Sequence, residues 1–228
     1  HLVSPRSPAC SCFKPAFKEM ALTTWRKQPW TWAKTAVGVA VVATLAACGG
    51  GGGSSSTPPS TSTASVSGVA SKGLMRNAVV SAYAVKADGT VDRSKALATD
   101  RTDNAGLYEL RGLPAGQVVV IEVVADDQTR MDDEATGAVI TPVAGFTMRA
   151  AAVPEAGGTA SVQVTPFSEM AVAIAEKNAG GLKADTVAAA NAQVVLFVGG
   201  TDVLKDKPEF DPDTKAPLNA AAVALAAV

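Results

Sequence analysis

From residue 65 onward the chain is a series of short apolar runs cut by turn residues, and this rhythm constrains its fold more than any other feature. Residues 78–86 (AVVSAYAVK) run into Asp88-Gly89. Residues 107–110 (LYEL) lie between the turn signals Asp103-Asn104-Ala105-Gly106 and Leu113-Pro114-Ala115-Gly116. Residues 117–125 (QVVVIEVVA) form the most apolar run. Runs of this length, bounded by Gly, Pro, Asn and Asp, read as β-strands. Further strands are expected at 65–70, 96–102, 137–141, 145–151 and 159–164. The period-two pattern puts Val79, Tyr83 and Val85 on one face of their strand. It puts Tyr108 with Leu110, and Val119 with Ile121 and Val123, leaving Glu122 on the wetter side. So many short strands predict an antiparallel β-sandwich over 65–164, and about 100 residues suffice for one such core.

The period changes after residue 164. Thr165-Pro166 reads as a helix N-cap followed by Pro at the first helical position. Phe167, Met170, Ala171, Ile174 and Ala175 then recur at helical spacing, and Gly180-Gly181 stops the run. A second helix is expected from Asp185 as N-cap to Val198, with Val187, Val194, Val195 and Val198 on one face. A third begins near Leu218 and has no closing charge, so the chain reads as ending inside an element. The predicted class is therefore mainly β with α, a sandwich over 65–164 followed by a helical segment over 165–228.

The N-terminal part has a different grammar. Arg26, Lys27 and Lys34 precede 13 uncharged residues, 35–47 (TAVGVAVVATLAA). As a helix that run would span about 20 Å, too short for a ~30 Å bilayer core. It ends in Leu45-Ala46-Ala47, and Cys48 follows. Basic stretch, short apolar run, small residues and then cysteine resembles a bacterial lipoprotein signal, in which the cysteine is lipidated and becomes the first mature residue. The resemblance makes Leu45, Ala46, Ala47 and Cys48 the lipobox and Cys48 the lipidation site. It implies a cell-envelope location. Gly49 rather than Asp after the cysteine points to the outer membrane. Met20 sits where a conventional leader would start, so residues 1–19 read as an over-extended N-terminus and 20–47 as the signal. Residues 48–64 are Cys48 and a Gly/Ser/Thr/Pro tether with almost no apolar surface to bury. As a flexible coil it would reach about 20–24 Å.

That boundary changes the charge balance. The whole chain carries a net charge of −1. Residues 1–47 hold six Lys/Arg and one Glu, which leaves 14 basic and 20 acidic side chains from Cys48 onward, a net of −6. An acidic domain argues against a nucleic-acid partner and against electrostatic docking on anionic lipid. Attachment to a membrane would come through acyl chains.

Residue types that are missing exclude more than motifs reveal. The chain's one histidine is His1, and its cysteines are Cys10, Cys12 and Cys48. Past the tether there is neither. Ser-His-Asp and Cys-His catalysis, His/Cys zinc sites and iron–sulfur ligation are excluded there, as is a disulfide. No phosphate-binding loop motif occurs. No cofactor is expected.

The segment VSGVASKG…NAVVSAYAVKADGT…ALATDRTDNAGLYELRGLPAGQVVVIEV, roughly residues 65–125, is similar to carboxypeptidase regulatory-like domains. The likeness rests on the opening V-S-G-V, the strand with A-Y, the T-D-x-x-G-x-Y turn at residues 102–108 and L-P-x-G at 113–116. It implies a prealbumin-like (transthyretin-like) β-sandwich that serves as an accessory, adhesive or stabilising module without catalytic residues. Leu74-Met75-Arg76 departs from the family, which usually has a Pro or small residue before the second strand.

Four acidic residues, Asp126, Asp127, Asp132 and Asp133, with Glu134, follow the strongest strand. Hard oxygen ligands of this kind could hold Ca²⁺, against a simpler reading as a solvated acidic loop around Arg130. Glu169 and Glu176 share a helix and read as an exposed face. Asp211-Pro212-Asp213 begins like a calcium loop, but Lys215 takes the next ligand position. Taken together, the expectation is a non-enzymatic, lipid-anchored envelope protein whose sandwich binds a protein or glycan or acts as a spacer. The alternative is an envelope enzyme, such as a carboxylate-based glycan hydrolase, with its active site in further C-terminal sequence. A calcium-stabilised structural subunit is a third reading.

Overall fold

The computed structural model describes residues 62–133, 138–211 and 213–228. The signal, Cys48 and most of the tether lie outside the described residues. The class expected from the sequence is the one observed: a mainly β protein with a helical C-terminal segment.

Two sheets face each other. The first has the order β11 (Thr159–Ser161), β1 (Thr63–Val69), β6 (Leu107–Pro114). The β1–β6 pair is antiparallel, with Val69 opposite Leu107 and Thr63 opposite Pro114, whereas β11 runs parallel to β1. The second has the order β10 (Thr147–Ala152), β7 (Val119–Val124), β3 (Val79–Val85), β4 (Val91–Asp92), with β5 (Ala98–Arg101) also on β3. All of its pairs are antiparallel. A small third sheet joins β2 (Met75–Arg76), β8 (Arg130–Asp132) and β9 (Val139–Ile140).

Val66, Tyr108, Leu110 and Leu113 of the first sheet interlock with Val80, Ala82, Val119, Ile121, Val123 and Met148 of the second to form the sandwich core. Tyr108 and Leu110 share a face as expected, as do Val119, Ile121 and Val123. Val79, Tyr83 and Val85 share one face of β3 as expected, and it is the face opposite Val80 and Ala82, which point into the sandwich.

That opposite face is not wet. Helices α1 (Pro166–Lys177) and α2 (Ala184–Phe197) lie against it. Val172, Ala175, Leu182, Val187 and Ala190 pack on Val120 and Ala151, and on the half-buried Val85 and Val91. Strand β7 is thus apolar on both faces because both are covered. Glu122, the one acidic residue of β7, remains half-buried and pairs with Arg93 of the β4 side. A third cluster joins Phe167 and Ala171 of α1, Val194 of α2, Val203 and Leu204, and Ala221 and Leu225 of α3 (Ala220–Ala226). Every cluster lies within residues 66–225, so this span carries its own core.

The helix starts follow from their caps. Thr165 and Ser168 form a reciprocal capping box around Pro166. The second helix begins two residues earlier than Asp185 suggested, with Lys183 as N-cap and Thr186 returning its hydroxyl to the Lys183 backbone N–H. Asn219 caps α3 through the backbone N–H of Ala222. Among the described residues no helix is long and apolar enough to cross a membrane.

Candidate functional site

The strand registers give the sandwich two distinct ends. One end holds Thr63, Pro114, Val119, Ala152 and Val85; the other holds Val69, Leu107, Val79, Arg101, Val124 and Thr147. At ~3.3 Å per residue, the seven residues of β1 separate them by roughly 20 Å. The chain enters at Thr63, so the first is the entry end and the second the far end.

The entry end is closed by backbone contacts. The Gly116 N–H donates to Pro154 O, Gly157 N–H to Thr63 O and Ala115 N–H to Ser62 O. The β3–β4 turn meets the α1–α2 connection there: the Leu182 N–H donates to Gly89 O at 2.9 Å. Gly89 has φ +82° and Gly181 φ +67°, and a Cβ on Gly89 would stand 2.0 Å from Gly180 O. Only glycine fits so close an approach.

The far end is built differently. The small sheet and the β9–β10 connection carry the exposed side chains of Val139, Ile140, Val143 and Phe146, and Val143 is 82% exposed. The Ala125 N–H donates to Phe146 O and the Gly145 N–H to Ala125 O, which fixes this connection onto the end of β7. Helix ends add Met170 of α1, Leu196 and Phe197 of α2, and Val228. Met170, Phe197 and Val228 line a groove of about 420 Å³ with Pro166, Val198 and Ala227. Most large exposed apolar side chains of the described residues therefore lie away from the entry point.

The acidic residues expected after β7 also sit at the far end, but the structure does not gather them into one ligand shell. The Asp126 carboxylate accepts from Arg101, from the Thr129 hydroxyl and from the Gln128 N–H. The Arg101 guanidinium holds its carboxyl down at about 2. Asp132 is buried and accepts both contacts of the Arg76 guanidinium. Arg130 donates to the carbonyls of Asp127 and Thr129. Among the described residues no group of three His, Cys, Asp or Glu is placed to hold a metal ion. Glu134 lies outside them.

Glu169 and Glu176, expected as an exposed pair on one helix face, instead converge on Arg149 of β10, whose guanidinium donates to both. These contacts raise the Arg149 pKa, Glu169 foremost, while partial burial opposes them. The cluster clamps α1 to the sheet. Asp211 accepts from the N–H groups of Asp213 and Thr214, a turn that uses its carboxylate locally. Tyr108 donates to Val162 O at 2.7 Å within the core, and burial pushes its hydroxyl pKa up; Tyr83 is half-buried.

Sequence reasoning did not find two further polar elements. The first is Gln163, fully buried, whose Oε1 accepts from the Val69 N–H and whose Nε2 donates to Ser161 Oγ and Lys205 O. A buried Gln in a β run was the available signal. The second is a shallow hollow between β5 and β6, lined by Ser67, Asp100, Arg101, Asp103 and Glu109. Its carboxylates are engaged: Asp100 accepts from the Glu109 N–H, Asp103 from Ala105 and Leu107, and Glu109 from Arg111. Cys48 and Leu45, Ala46 and Ala47 lie outside the described residues.

No protein-family model matches the chain, and no curated protein sequence matches it. Among solved structures it is similar to GBS52, the minor pilin of the Gram-positive pathogen Streptococcus agalactiae, at 17% identity and a TM-score of 0.27. The alignment covers 45% of this chain and 43% of the pilin, so the chain spans less than half of that protein.

Proposed function

We propose that the chain is a bacterial lipoprotein, anchored through Cys48 in the cell envelope, whose sandwich is a carboxypeptidase regulatory-like module with a binding or adhesive role and no catalysis of its own. The observation that carries this reading is the placement of Cys48, after 13 uncharged residues ending in Leu-Ala-Ala and directly before a low-complexity tether. A diacylglycerol on that cysteine would supply the two chains that stable anchoring needs. Two structural facts support the binding role. The described sandwich begins at Thr63, and most of the large exposed apolar side chains lie away from that end. A module held by one end would present the other to a protein or glycan ligand. The outer membrane is the proposed location, following Gly49.

Metabolic labelling with an alkyne fatty acid tests the anchor. The full chain is expected to label, and Cys48→Ser to lose the label and stay uncleaved or leave the membrane fraction. Equal labelling of both would end the reading.

A further inference from the structure

We infer that a pocket on the flank of the sandwich, between β10 and α2, binds a short apolar peptide, about two or three residues long, as a strand added to the edge of β10. Parity decides where the β10 backbone points. The Ala125 N–H donates to Phe146 O and the Gly116 N–H to Pro154 O, at the two ends of the β7–β10 register. In an antiparallel pair the ladder bonds fall on every second residue. Met148, Ala150 and Ala152 therefore bond to β7, while Arg149, Ala151 and Val153 turn their N–H and C=O groups away from it.

Among the described residues no strand pairs on that outer side of β10. The Ser168 hydroxyl donates to Arg149 O at 2.8 Å and caps one end of the edge. Pro154 ends it on the other side. Between them Ala151 and Val153 have no outward backbone partner among the described residues. The neighbouring edge of the other sheet is covered instead. There the Gln163 N–H donates to Leu204 O, and Ser161 Oγ and Gln163 Nε2 donate to Lys205 O.

The open edge faces a cavity of about 230 Å³ that Ala150, Ala151, Ala152 and Val153 all line. Successive side chains of a strand point to opposite faces, so four in a row line a cavity only where the edge itself borders it. Val162 of the first sheet and Val187 and Ala188 of α2 stand across it. Gln163 and Ser168 also line it, but their polar atoms are bonded within the protein. Lys205 supplies the lining's one charge, on a mostly exposed side chain 3.8 Å from Asp202. A ligand therefore meets apolar walls and a single row of backbone donors and acceptors.

That combination selects the occupant. A hydrocarbon would leave the row unpaired, and a sugar would set its hydroxyls against apolar walls. An extended peptide offers N–H and C=O together on every second residue, about 6.7 Å apart, which is the spacing of Ala151 and Val153. The residue opposite Ala151 would share its face with Val187, and the next would turn toward Val162. Small uncharged side chains suit both. The cavity is smaller than the ~300–1,000 Å³ of sites for drug-sized ligands, which limits the peptide's length. The site lies apart from the exposed apolar side chains of the far end and depends on neither the anchor nor their ligand.

The test is NMR titration of the isotope-labelled full chain with the tripeptide Ala-Val-Ala. The amide signals of Ala151 and Val153 are expected to shift, and their hydrogen exchange to slow at least tenfold at saturation. An analogue methylated at both peptide nitrogens keeps the apolar surface and loses the donors, and should bind at least tenfold more weakly. Ala188→Trp should fill the cavity from α2 and abolish the shifts; Ala188 is exposed, so the melting temperature should stay within a degree or two of the parent. Octanoate, an apolar chain without amides, should leave both signals in place. No shift with the tripeptide, equal binding of the methylated analogue, or shifts with octanoate instead would each overturn the inference.

Discussion

The two ends of the sandwich are both held by backbone contacts but differ in what they expose. At the entry end, backbone meets backbone: Gly89 against Gly180 and Gly181, Gly116 against Pro154, Gly157 against Thr63. At the far end backbone contacts such as Ala125 N–H to Phe146 O also occur, and several apolar side chains are left facing water. At Gly89 an added Cβ would meet Gly180 O at 2.0 Å, while the exposed apolar side chains of the far end tolerate many changes. Under the proposed function, the difference separates a contact that holds the fold from a surface open to a ligand. Substitutions at the entry end should cost stability, and those at the far end should cost binding.

The largest effect is expected at the glycine contact. Gly89→Ala places a methyl group against Gly180 O and holds alanine at φ +82°. A loss of roughly 2–4 kcal/mol is expected, read as a drop of about 2–4 °C in Tm per kcal/mol. A drop of less than a degree or two would show that the helices do not depend on this contact.

Next comes the core hydroxyl that joins β6 to the segment after β11. Tyr108→Phe leaves Val162 O without its donor, at an expected cost of about 1–2 kcal/mol. The sign of its pH dependence follows from burial. The folded-state pKa of Tyr108 is raised, so its contribution is fully present below the unfolded value of about 10 and falls as pH rises above it. Thermal melts above pH 10 should therefore fall more steeply for the parent than for Tyr108→Phe. Parallel curves would contradict the assignment.

A smaller effect is expected from the helix clamp. Arg149→Met removes the partner of two carboxylates that are about one-third exposed, so solvent screening limits the loss to about 1 kcal/mol. Urea unfolding would measure it, and an unchanged midpoint would make the clamp ornamental.

The smallest effects belong to the far end. Val143→Asp is expected to change stability by less than about 0.5 kcal/mol. Asp126 there has a depressed pKa of about 2, so its pairing with Arg101 helps the fold above the unfolded value near 4 and is lost as pH falls from 4 toward 2. Arg101→Gln should flatten the acid side of the stability curve over that window alone.

The contrast between the ends was only partly legible in the chain. The inward faces of β6 and β7 follow from period two, since Tyr108 with Leu110 and Val119 with Ile121 alternate against polar or covered neighbours. On β3 the same logic grouped Val79, Tyr83 and Val85 correctly but did not say which face turns inward. Val79, Tyr83 and Val85 are as apolar as Val80 and Ala82, because helices cover the outer face and remove the polar signal that gives alternation its direction. Helix α1 was legible from Thr165-Pro166 and its apolar spacing. Its docking was not: Arg149 meets Glu169 and Glu176 across 20 and 27 residues, and Gly89 meets Gly181 across a longer gap still. The acidic run after β7 suggested a shared ion because residues adjacent in sequence read as neighbours. The structure turns Asp126 toward Arg101 and Asp132 toward Arg76, on different strands. No local pattern foretells those partners.

The central claim of the proposed function is that the far end meets the ligand. Photo-cross-linkers placed singly at Phe146 and at Val153 in the full chain, in living cells, test it most directly. The account predicts protein or glycan adducts from position 146 and none from position 153. Adducts from 153 with none from 146 would contradict it.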